Sequence, residues 1–121
     1  MKVIVAGGRN ILDPDLVAEA IQASGFEVTE LVSGCARGVD QYGEHWAAER
    51  EIPIKRFPAD WDQYGRSAGP RRNAMMAAYG EALVAVWDGM SPGTKNMIDQ
   101  ATIAGLKVYV HPAPMKDSAR G

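Results

Sequence analysis

The chain has 121 residues, of which 46% are hydrophobic, and this length fits one compact domain whose core needs neither disulfides nor metal. The formal net charge of −2 and the pI near 5.6 exclude a general attraction to a nucleic-acid backbone, so nucleic-acid binding would require a locally basic surface. One cysteine and two histidines without metal-ligand spacing exclude a disulfide framework and argue against a metal site.

The first half of the chain alternates strands with helices. The short apolar run Lys2–Ala6 predicts a buried parallel strand that leads into the glycine turn Gly7-Gly8-Arg9. Asp13-Pro14-Asp15 is typical of a helix start, and Gly25 marks where that helix ends. The pattern then predicts a strand at 27–32, a helix at 39–50 and a strand at 54–57.

The second half repeats this alternation after an irregular segment. Residues 58–69 are rich in glycine and aromatic residues and are too many for a minimal connection, which indicates a functional surface loop acting as a lid. Pro70 suits the first turn of a helix that runs to about Tyr79. The remaining predictions are a strand at 82–87, a helix ending at Gly105, a strand at 107–110 and a tail at 113–121.

These elements predict an α/β fold: a single Rossmann-like, three-layer domain at 1–112 with an open, about five-stranded parallel sheet. In such a sheet every loop that leaves the carboxyl end of a strand lies at the same edge. We therefore expect the loops at 7–9, 33–40, 60–61 and 88–96 to form one crevice.

The segment Ser33–Asp40 reads Ser-Gly-Cys-Ala-Arg-Gly-Val-Asp between a predicted strand and a predicted helix. Such a junction presents free backbone N–H groups and the positive end of a helix dipole, and its glycines allow a ligand to approach closely. Arg37 adds a positive charge that suits an anion. Asp40 either caps the helix or accepts hydroxyl hydrogen bonds from a sugar, and both alternatives stay open.

A second junction of the same kind lies at 91–96, where Gly93 permits close approach and Thr94 offers a hydroxyl group. Neither junction is a Walker A motif, and Gly7-Gly8-Arg9 is not Gly-x-Gly-x-x-Gly. We therefore expect neither nucleoside triphosphate hydrolysis nor ordinary NAD redox chemistry, and no cofactor.

Three arginines are candidates for phosphate binding: Arg9, Arg37 and Arg72. Trp61 or Tyr64 offers an aromatic face for a base, although anchoring the loop explains either residue equally well. No histidine is placed as a base for a nucleophile, so a catalytic triad is not predicted. The carboxylates that follow predicted strands suit ribose binding or capping better than acid–base catalysis; they are Asp40, Asp60 and Asp88.

Taken together, the motifs resemble the YspA-type (YpsA-related) branch of the SLOG superfamily, whose order they follow over nearly the whole chain. The matching stretches are Gly7-Gly8-Arg9, the loop 33–40, Phe57-Pro-Ala-Asp-Trp61, Gly69-Pro-x-Arg-Asn73-x-x-Met76 and Gly93-Thr94. The resemblance implies a Rossmann-like fold that binds nucleotides or nucleotide-derived ligands such as ADP-ribose-like signals. The predicted ligand-binding residues are Gly7, Gly8, Arg9, Ser33, Gly34, Ala36, Arg37, Gly38, Asp40, Asp60, Trp61, Arg72, Asn73, Gly93 and Thr94.

Two related families set the alternatives. In the Lonely Guy phosphoribohydrolases, which release a base from a nucleoside monophosphate, Arg-Lys-x-x-Met resembles the stretch Arg72–Met76, so Arg72 inherits a substrate role from the resemblance. Their catalytic glutamate corresponds to Met97 here, and Asp99 lies about 200° further around a helix and cannot replace it. DNA-processing protein A has a similar loop at 33–40, but this acidic chain shows no basic and aromatic track in its sequence.

We therefore predict a protein that binds a nucleotide or nucleotide-derived small molecule as a sensor, carrier or sequestering protein, with no assigned catalytic residue. The first alternative is N-glycosidic cleavage of a nucleoside monophosphate, with Asp40, Asp60 or Asp88 as the acid or base. The second alternative is single-stranded DNA binding, against which the charge argues. Because no signal peptide or long apolar span is evident, we expect a cytoplasmic protein without membrane contact, and the resemblance makes a homo-oligomer plausible.

Overall fold

A computed structural model of the protein describes residues 1–114, and these residues form a five-stranded, fully parallel sheet. The predicted α/β fold with an open parallel sheet is confirmed. The strand order across the sheet is β3-β2-β1-β4-β5. The strands are β1 (Lys2–Gly7), β2 (Glu30–Ser33), β3 (Ile54–Arg56), β4 (Ala82–Trp87) and β5 (Lys107–Pro112).

Helices cover both faces of this sheet. They are α1 (Pro14–Ser24), α2 (Val39–Glu49), α3 (Trp61–Tyr64), α4 (Ala68–Tyr79) and α5 (Pro92–Ile103). The start of α1 follows from its sequence, because Asp13 accepts hydrogen bonds from the backbone N–H groups of Asp15 and Leu16 and Pro14 occupies the first turn. None of the helices within residues 1–114 is both long and apolar enough to span a bilayer.

The core has two layers, one on each face of the sheet, because successive side chains of a strand point in opposite directions. Val3 and Val5 of β1 belong to the cluster under α1 and α2, whereas Ile4 belongs to the cluster that contains Met76 and Met97 of the other helices. All three β1 side chains have no exposed surface. Burial of this kind stabilises by about 1.5–3 kcal/mol per large aliphatic side chain.

The segment predicted as an irregular lid is more ordered than its composition indicated. It contains α3 and a 3₁₀ turn at Gly65–Ser67, and α4 begins at Ala68, ahead of the predicted start at Pro70. The reason is local, because the Asp60 carboxylate accepts a hydrogen bond from the N–H of Gln63 at 3.1 Å and caps α3.

Two strand boundaries differ from the sequence prediction by two residues or more. Strand β2 begins at Glu30 rather than at residue 27, because its pairing with β1 starts at Glu30. Strand β5 continues past residue 110 because Pro112 still pairs with Trp87, and the N–H of Ala113 donates to the Trp87 carbonyl at 2.9 Å. The predicted tail at 113–121 therefore begins with a residue bonded to the sheet, and residues 115–121 lie outside the described part of the chain.

The chain builds the sheet outward from β1, first through β2 to β3 and then on the other side through β4 to β5. The direction of winding changes between β1 and β4, which are neighbours. In open α/β sheets, ligands bind in the crevice outside the carboxyl ends of the strands at such a switch point. The topology therefore directs attention to the loops that follow β1 and β4.

Candidate functional site

A cavity of about 1050 Å³ opens at this switch point. Its walls come from the loop after β1, the loop between β4 and α5, and the first half of α4. Ten of the predicted ligand-binding residues line it: Gly7, Gly8, Arg9, Ala36, Asp40, Trp61, Arg72, Asn73, Gly93 and Thr94. A second pocket of about 120 Å³ adds Gly34 and shares four of these residues, Arg9, Ala36, Trp61 and Arg72.

Four predicted residues lie outside both linings: Ser33, Arg37, Gly38 and Asp60. Ser33 has no exposed surface; its hydroxyl donates to Glu44 Oε2 at 2.6 Å and accepts from the N–H of Cys35 at 3.0 Å. Glu44 in turn pairs with Arg56 at 2.9 Å. The Ser33 side chain thus holds the shape of its loop.

Gly38 brings two of the predicted loops together. Its φ of 77° lies in the left-handed region, and a Cβ at this position would stand 2.5 Å from the carbonyl oxygen of Gly8. The loop after β2 therefore packs directly on the glycine turn after β1. Arg37, next to it, is exposed and points to neither cavity.

Arg72, in the first half of α4, is half-buried and anchored at two points. Its Nη1 donates to the carbonyl oxygen of Gly34, and its Nε donates to Asn73 Oδ1 at 3.0 Å. Burial lowers the pKa of Arg72 from its usual value, and the like charge of Arg9 acts in the same direction. Both guanidinium groups therefore act on the same part of the cavity.

Asp40 faces Arg72 across Gly34. A Cβ on Gly34 would stand 2.5 Å from Arg72 Nη1 and 2.9 Å from Asp40 Oδ2. Asp40 is only 4% exposed, and its Oδ2 accepts a hydrogen bond from the N–H of Ala36 at 3.4 Å. Burial raises the pKa of Asp40 to about 6, although the charge of Arg72 opposes the rise. The cavity thus contains a carboxyl group that titrates close to neutral pH.

The start of α5 forms the opposite wall. No side chain among residues 1–114 caps this helix, so the first N–H groups of α5 are left without a side-chain acceptor. A Cβ on Gly93 would meet no described atom within 4 Å, so the backbone there is open to a ligand. Asn73 supports the turn by donating to Asn96 Oδ1 at 3.0 Å and to the Gly93 carbonyl at 3.4 Å.

The preceding turn is ordered by Asp88, whose carboxylate accepts from the N–H groups of Met90 and Ser91 at 2.8 and 3.0 Å. These hydrogen bonds hold the pKa of Asp88 below its usual value. Thr94, predicted to offer a hydroxyl, is 4% exposed and donates to Ser91 Oγ at 3.2 Å. Asp88 and Thr94 therefore shape the loop that presents Gly93.

Positive charge in the cavity is not balanced by direct ion pairs. Arg9, Arg66 and Arg72 line it, and within residues 1–114 none of these guanidinium groups lies within 4.0 Å of a carboxylate oxygen. Arginine presents five donors in a planar fork that fits phosphate and carboxylate groups. The cavity is therefore suited to an anionic ligand.

The mouth of the cavity is apolar. Leu12 is 63% exposed, Met90 68% and Trp61 48%, although each lines the cavity, and Arg9 Cζ lies 5.6 Å from the centre of the Trp61 ring. Exposed apolar side chains at the mouth of a cavity that contains arginines are a sign of a ligand site. Met97, where a Lonely Guy enzyme has glutamate, also lines the cavity and is 1% exposed.

Sequence reasoning missed part of this lining. Leu12, Arg66 and Met90 line the cavity but belong to no recognisable motif. Each follows a predicted strand or lies in the predicted lid, and this position is the only feature of the sequence that indicates a place in the cavity wall. Asn96 lies within the second predicted loop and also lines the cavity, although it is not among the predicted ligand-binding residues. Leu12, Arg66 and Met90 share exposure rather than a characteristic spacing.

A model of the YspA, cpYpsA-related SLOG family matches residues 1–64, just over half of the chain. The chain belongs to this family. The resemblance predicted from its motifs is thereby confirmed. The matched SLOG region includes the loops after β1 and β2, and therefore Arg9, Gly34 and Asp40 of the cavity wall.

Among curated proteins, this SLOG-family chain is similar to the gene 61 protein of Mycobacterium phage D29. The two are 31% identical over 117 residues, which cover 88% of this chain and 93% of the phage protein. The likeness therefore extends beyond the region matched by the family model and includes most of the second half.

Among solved structures, the fold is similar to DNA processing protein A from Streptococcus pneumoniae, with a TM-score of 0.74 and 19% sequence identity. The match covers 96% of this chain and 52% of the other, so the SLOG-family chain spans about half the length of that protein. At this identity the likeness shows a shared fold.

Proposed function

We propose that the protein binds a nucleotide or nucleotide-derived small molecule in the cavity, as a sensor, carrier or sequestering protein. The observation that carries this proposal is the combination, in one cavity, of three arginines with a helix start. Among residues 1–114, none of the three arginines forms an ion pair and no side chain caps the helix. Family membership supports it, since SLOG proteins are associated broadly with nucleotide ligands.

The phosphate end of the ligand lies against the start of α5 and the guanidinium group of Arg72. The open backbone at Gly93 accepts an anion without displacing a side chain, and the helix dipole favours negative charge there. Arg9 adds a second guanidinium group from the loop after β1. Phosphate between two arginines forms charge-assisted hydrogen bonds, which are stronger than neutral ones.

The sugar and the base occupy the rest of the cavity. Ionised Asp40 accepts hydrogen bonds from ribose hydroxyl groups, because a carboxylate has only acceptors to offer. Trp61, Leu12 and Met90 enclose the base at the mouth, where they already form an apolar surface. An aromatic face provides contact area without requiring one particular base.

Binding without turnover is the version we favour. Met97 places a thioether, which can neither donate nor accept a proton, where the related hydrolases have glutamate. A homo-oligomer and a cytoplasmic location, both expected from the sequence, stay predictions.

The direct test is mass spectrometry of any ligand released from purified protein, followed by calorimetric titration with AMP and ADP-ribose. We expect saturable binding of at least one of these nucleotides and a loss of more than about tenfold in affinity for Arg72→Ala. Arg50→Ala is the matched control, because Arg50 lies at the far end of α2 from the cavity. Absence of binding across the panel would overturn the proposal.

One observation favours N-glycosidic hydrolysis as a second candidate. Asp40 is a buried carboxyl group in the cavity with a pKa of about 6, which suits a proton donor to a departing base. Hydrolysis of AMP with water would yield adenine and ribose 5-phosphate. Chromatography of AMP incubated with the protein distinguishes the candidates. Release of adenine that is lost in Asp40→Asn supports hydrolysis, whereas unchanged AMP at high protein concentration excludes hydrolysis for this substrate.

A further inference from the structure

Two aromatic–arginine pairs lie side by side at the mouth of the cavity. The inner pair is Trp61 with Arg9, whose Cζ is 5.6 Å from the ring centre, and both residues line the cavity. The outer pair is Tyr64 with Arg71, whose Cζ is 4.3 Å from the ring centre, and both residues lie outside the cavity lining. Trp61 and Tyr64 are three residues apart on α3, so their side chains are neighbours on one helix face.

The outer pair is held in place rather than formed by chance contact of two mobile side chains. The hydroxyl of Ser67 donates to the Tyr64 carbonyl at 2.9 Å and accepts from Arg71 Nε at 3.1 Å. Tyr64 nevertheless stays 40% exposed, and the structure gives its ring no core role. A preorganised aromatic and guanidinium pair on the surface loses little conformational entropy when it binds a ligand.

Charge around the outer pair is also uncompensated. Arg66 lies between the two pairs in sequence and lines the cavity, and neither Arg66 nor Arg71 has a carboxylate partner within 4.0 Å in the described chain. Asp62 shares the turn with the two rings, but it follows Trp61 directly and so projects about 100° away from that side chain. Although the net charge is −2, the described part of the chain thus concentrates arginines without a carboxylate partner at one place.

We propose that the ligand has two bases joined through phosphate, and this proposal rests on the proposed nucleotide-binding function. Such a ligand is either a linear dinucleotide or the end of a single-stranded oligonucleotide. The first nucleotide occupies the cavity, with its base against the inner pair. The phosphodiester lies beside Arg66, and the second base stacks on the outer pair. Successive bases of a single strand stack on aromatic rings and on guanidinium planes, while arginines follow the phosphates.

The size of the site agrees with an extended ligand. The cavity volume of about 1050 Å³ is at the upper end of the roughly 300–1,000 Å³ found for small-molecule sites, before the outer pair is included. A mononucleotide that fills the cavity makes no contact with Tyr64 or Arg71, because both lie outside the cavity lining.

The experiment is calorimetric titration of the full chain with AMP, the linear dinucleotide pApA and a single-stranded octamer of deoxyadenylate. We expect pApA to bind at least about tenfold more tightly than AMP, since one base stacked on an aromatic side chain has an effect of this size. Tyr64→Ala should reduce pApA affinity to that of AMP and leave AMP affinity unchanged, whereas Tyr64→Phe should retain the gain. Octamer affinity at or above that of pApA identifies an oligonucleotide end, and weaker octamer binding identifies a free dinucleotide.

Arg66→Ala gives an independent readout, because removing one phosphate contact reduces the magnitude of the slope of log affinity for pApA against log salt by about 0.7. Arg50→Ala is its matched control. Arg50 Cζ lies 4.4 Å from the centre of the Trp46 ring, and neither residue lines the cavity. Thermal unfolding of each variant identifies loss of fold. If AMP binds and pApA binds no more tightly, or if Tyr64→Ala weakens both ligands equally, the extended site is wrong and the proposed function stands. If none of AMP, ADP-ribose, pApA and the octamer binds, both fail.

Discussion

Arg72 donates a hydrogen bond from Nη1 to the carbonyl oxygen of Gly34, which precedes it by 38 residues. This bond ties α4 to the loop after β2, across the carboxyl edge of the sheet. Asp40 lies on the other side of the same glycine, so a backbone segment without a side chain separates the buried carboxyl from the guanidinium group. The electrostatics of the cavity therefore depend on Gly34 having no Cβ.

Gly34→Ala should weaken both nucleotide binding and the stability of the fold. The added Cβ would stand 2.5 Å from Arg72 Nη1, and the end of this side chain can move aside, so the clash is relieved at the expense of the bond to the Gly34 carbonyl. We expect a loss of about 1–3 kcal/mol in the free energy of unfolding and an AMP affinity close to that of Arg72→Ala. Urea denaturation and calorimetry measure the two quantities. Unchanged affinity would contradict the role of Arg72.

Gly93→Ala should weaken nucleotide binding with little change in stability. Because no described atom lies within 4 Å of the added Cβ, the free energy of unfolding should change by no more than about 0.5 kcal/mol. The methyl group would occupy the space in front of the α5 start and hinder close approach of phosphate, so AMP affinity should fall. Gly38→Ala is the contrast, since its Cβ meets the Gly8 backbone at 2.5 Å and should destabilise the fold strongly. Full AMP affinity in Gly93→Ala would place the phosphate elsewhere.

Asp40 should make the protein less stable as the pH rises from about 4 to about 6. Its pKa is raised from 3.8 to about 6 in the folded protein, so in this interval the folded state binds more protons than the unfolded state, and stability falls with increasing pH. The full effect is about 3 kcal/mol, because one pKa unit corresponds to about 1.4 kcal/mol. Below pH 4 both states are protonated and the effect is absent.

The measurement for Asp40 is urea denaturation at several pH values between 3.5 and 7, with Asp40→Asn as the comparison. The stability difference between the two proteins should grow in favour of Asp40→Asn as the pH passes from about 4 to about 6 and then stay constant. A difference that does not change with pH would show that Asp40 titrates normally.

Ser33→Ala should act on the loop and not on the ligand. The substitution removes the acceptor of the Cys35 N–H and the donor to Glu44, and we expect it to lower the free energy of unfolding by about 1–3 kcal/mol. AMP affinity should fall much less than in Arg72→Ala, because Ser33 lies outside both cavity linings. A full loss of AMP binding with unchanged stability would restore Ser33 as a ligand contact, as its sequence position predicted.

The sheet was predictable from sequence because buried parallel strands are short, continuous apolar runs. Residues 82–86, for example, are all buried, and the strand predicted at 82–87 agrees with β4. The segment at 58–69 was harder, since its glycines and aromatic residues suggested a loop. Its helical turn depends on the Asp60 cap and on packing of Trp61, whose ring lies 3.3 Å from where a Gly69 Cβ would be.

Sequence also could not show the arginine–aromatic pairs. Arg9 and Trp61 are 52 positions apart, and they meet only because β1 and the segment after β3 end at the same edge of the sheet. Tyr64 and Arg71 are closer in sequence, yet their contact requires the 3₁₀ turn that joins α3 to α4.

What the sequence by itself determined is therefore the order of the elements, the edge at which the loops converge and the family to which the chain belongs. Local propensity, apolar periodicity and glycine turns carry that information because each acts over a few residues. Only the tertiary structure decided that Ser33 serves its loop and that Arg72 is anchored beside Asp40. It also decided that the Tyr64 ring lies beside the guanidinium group of Arg71. Such roles depend on burial, on charge and on close approach between distant segments, and these properties exist only in the folded chain.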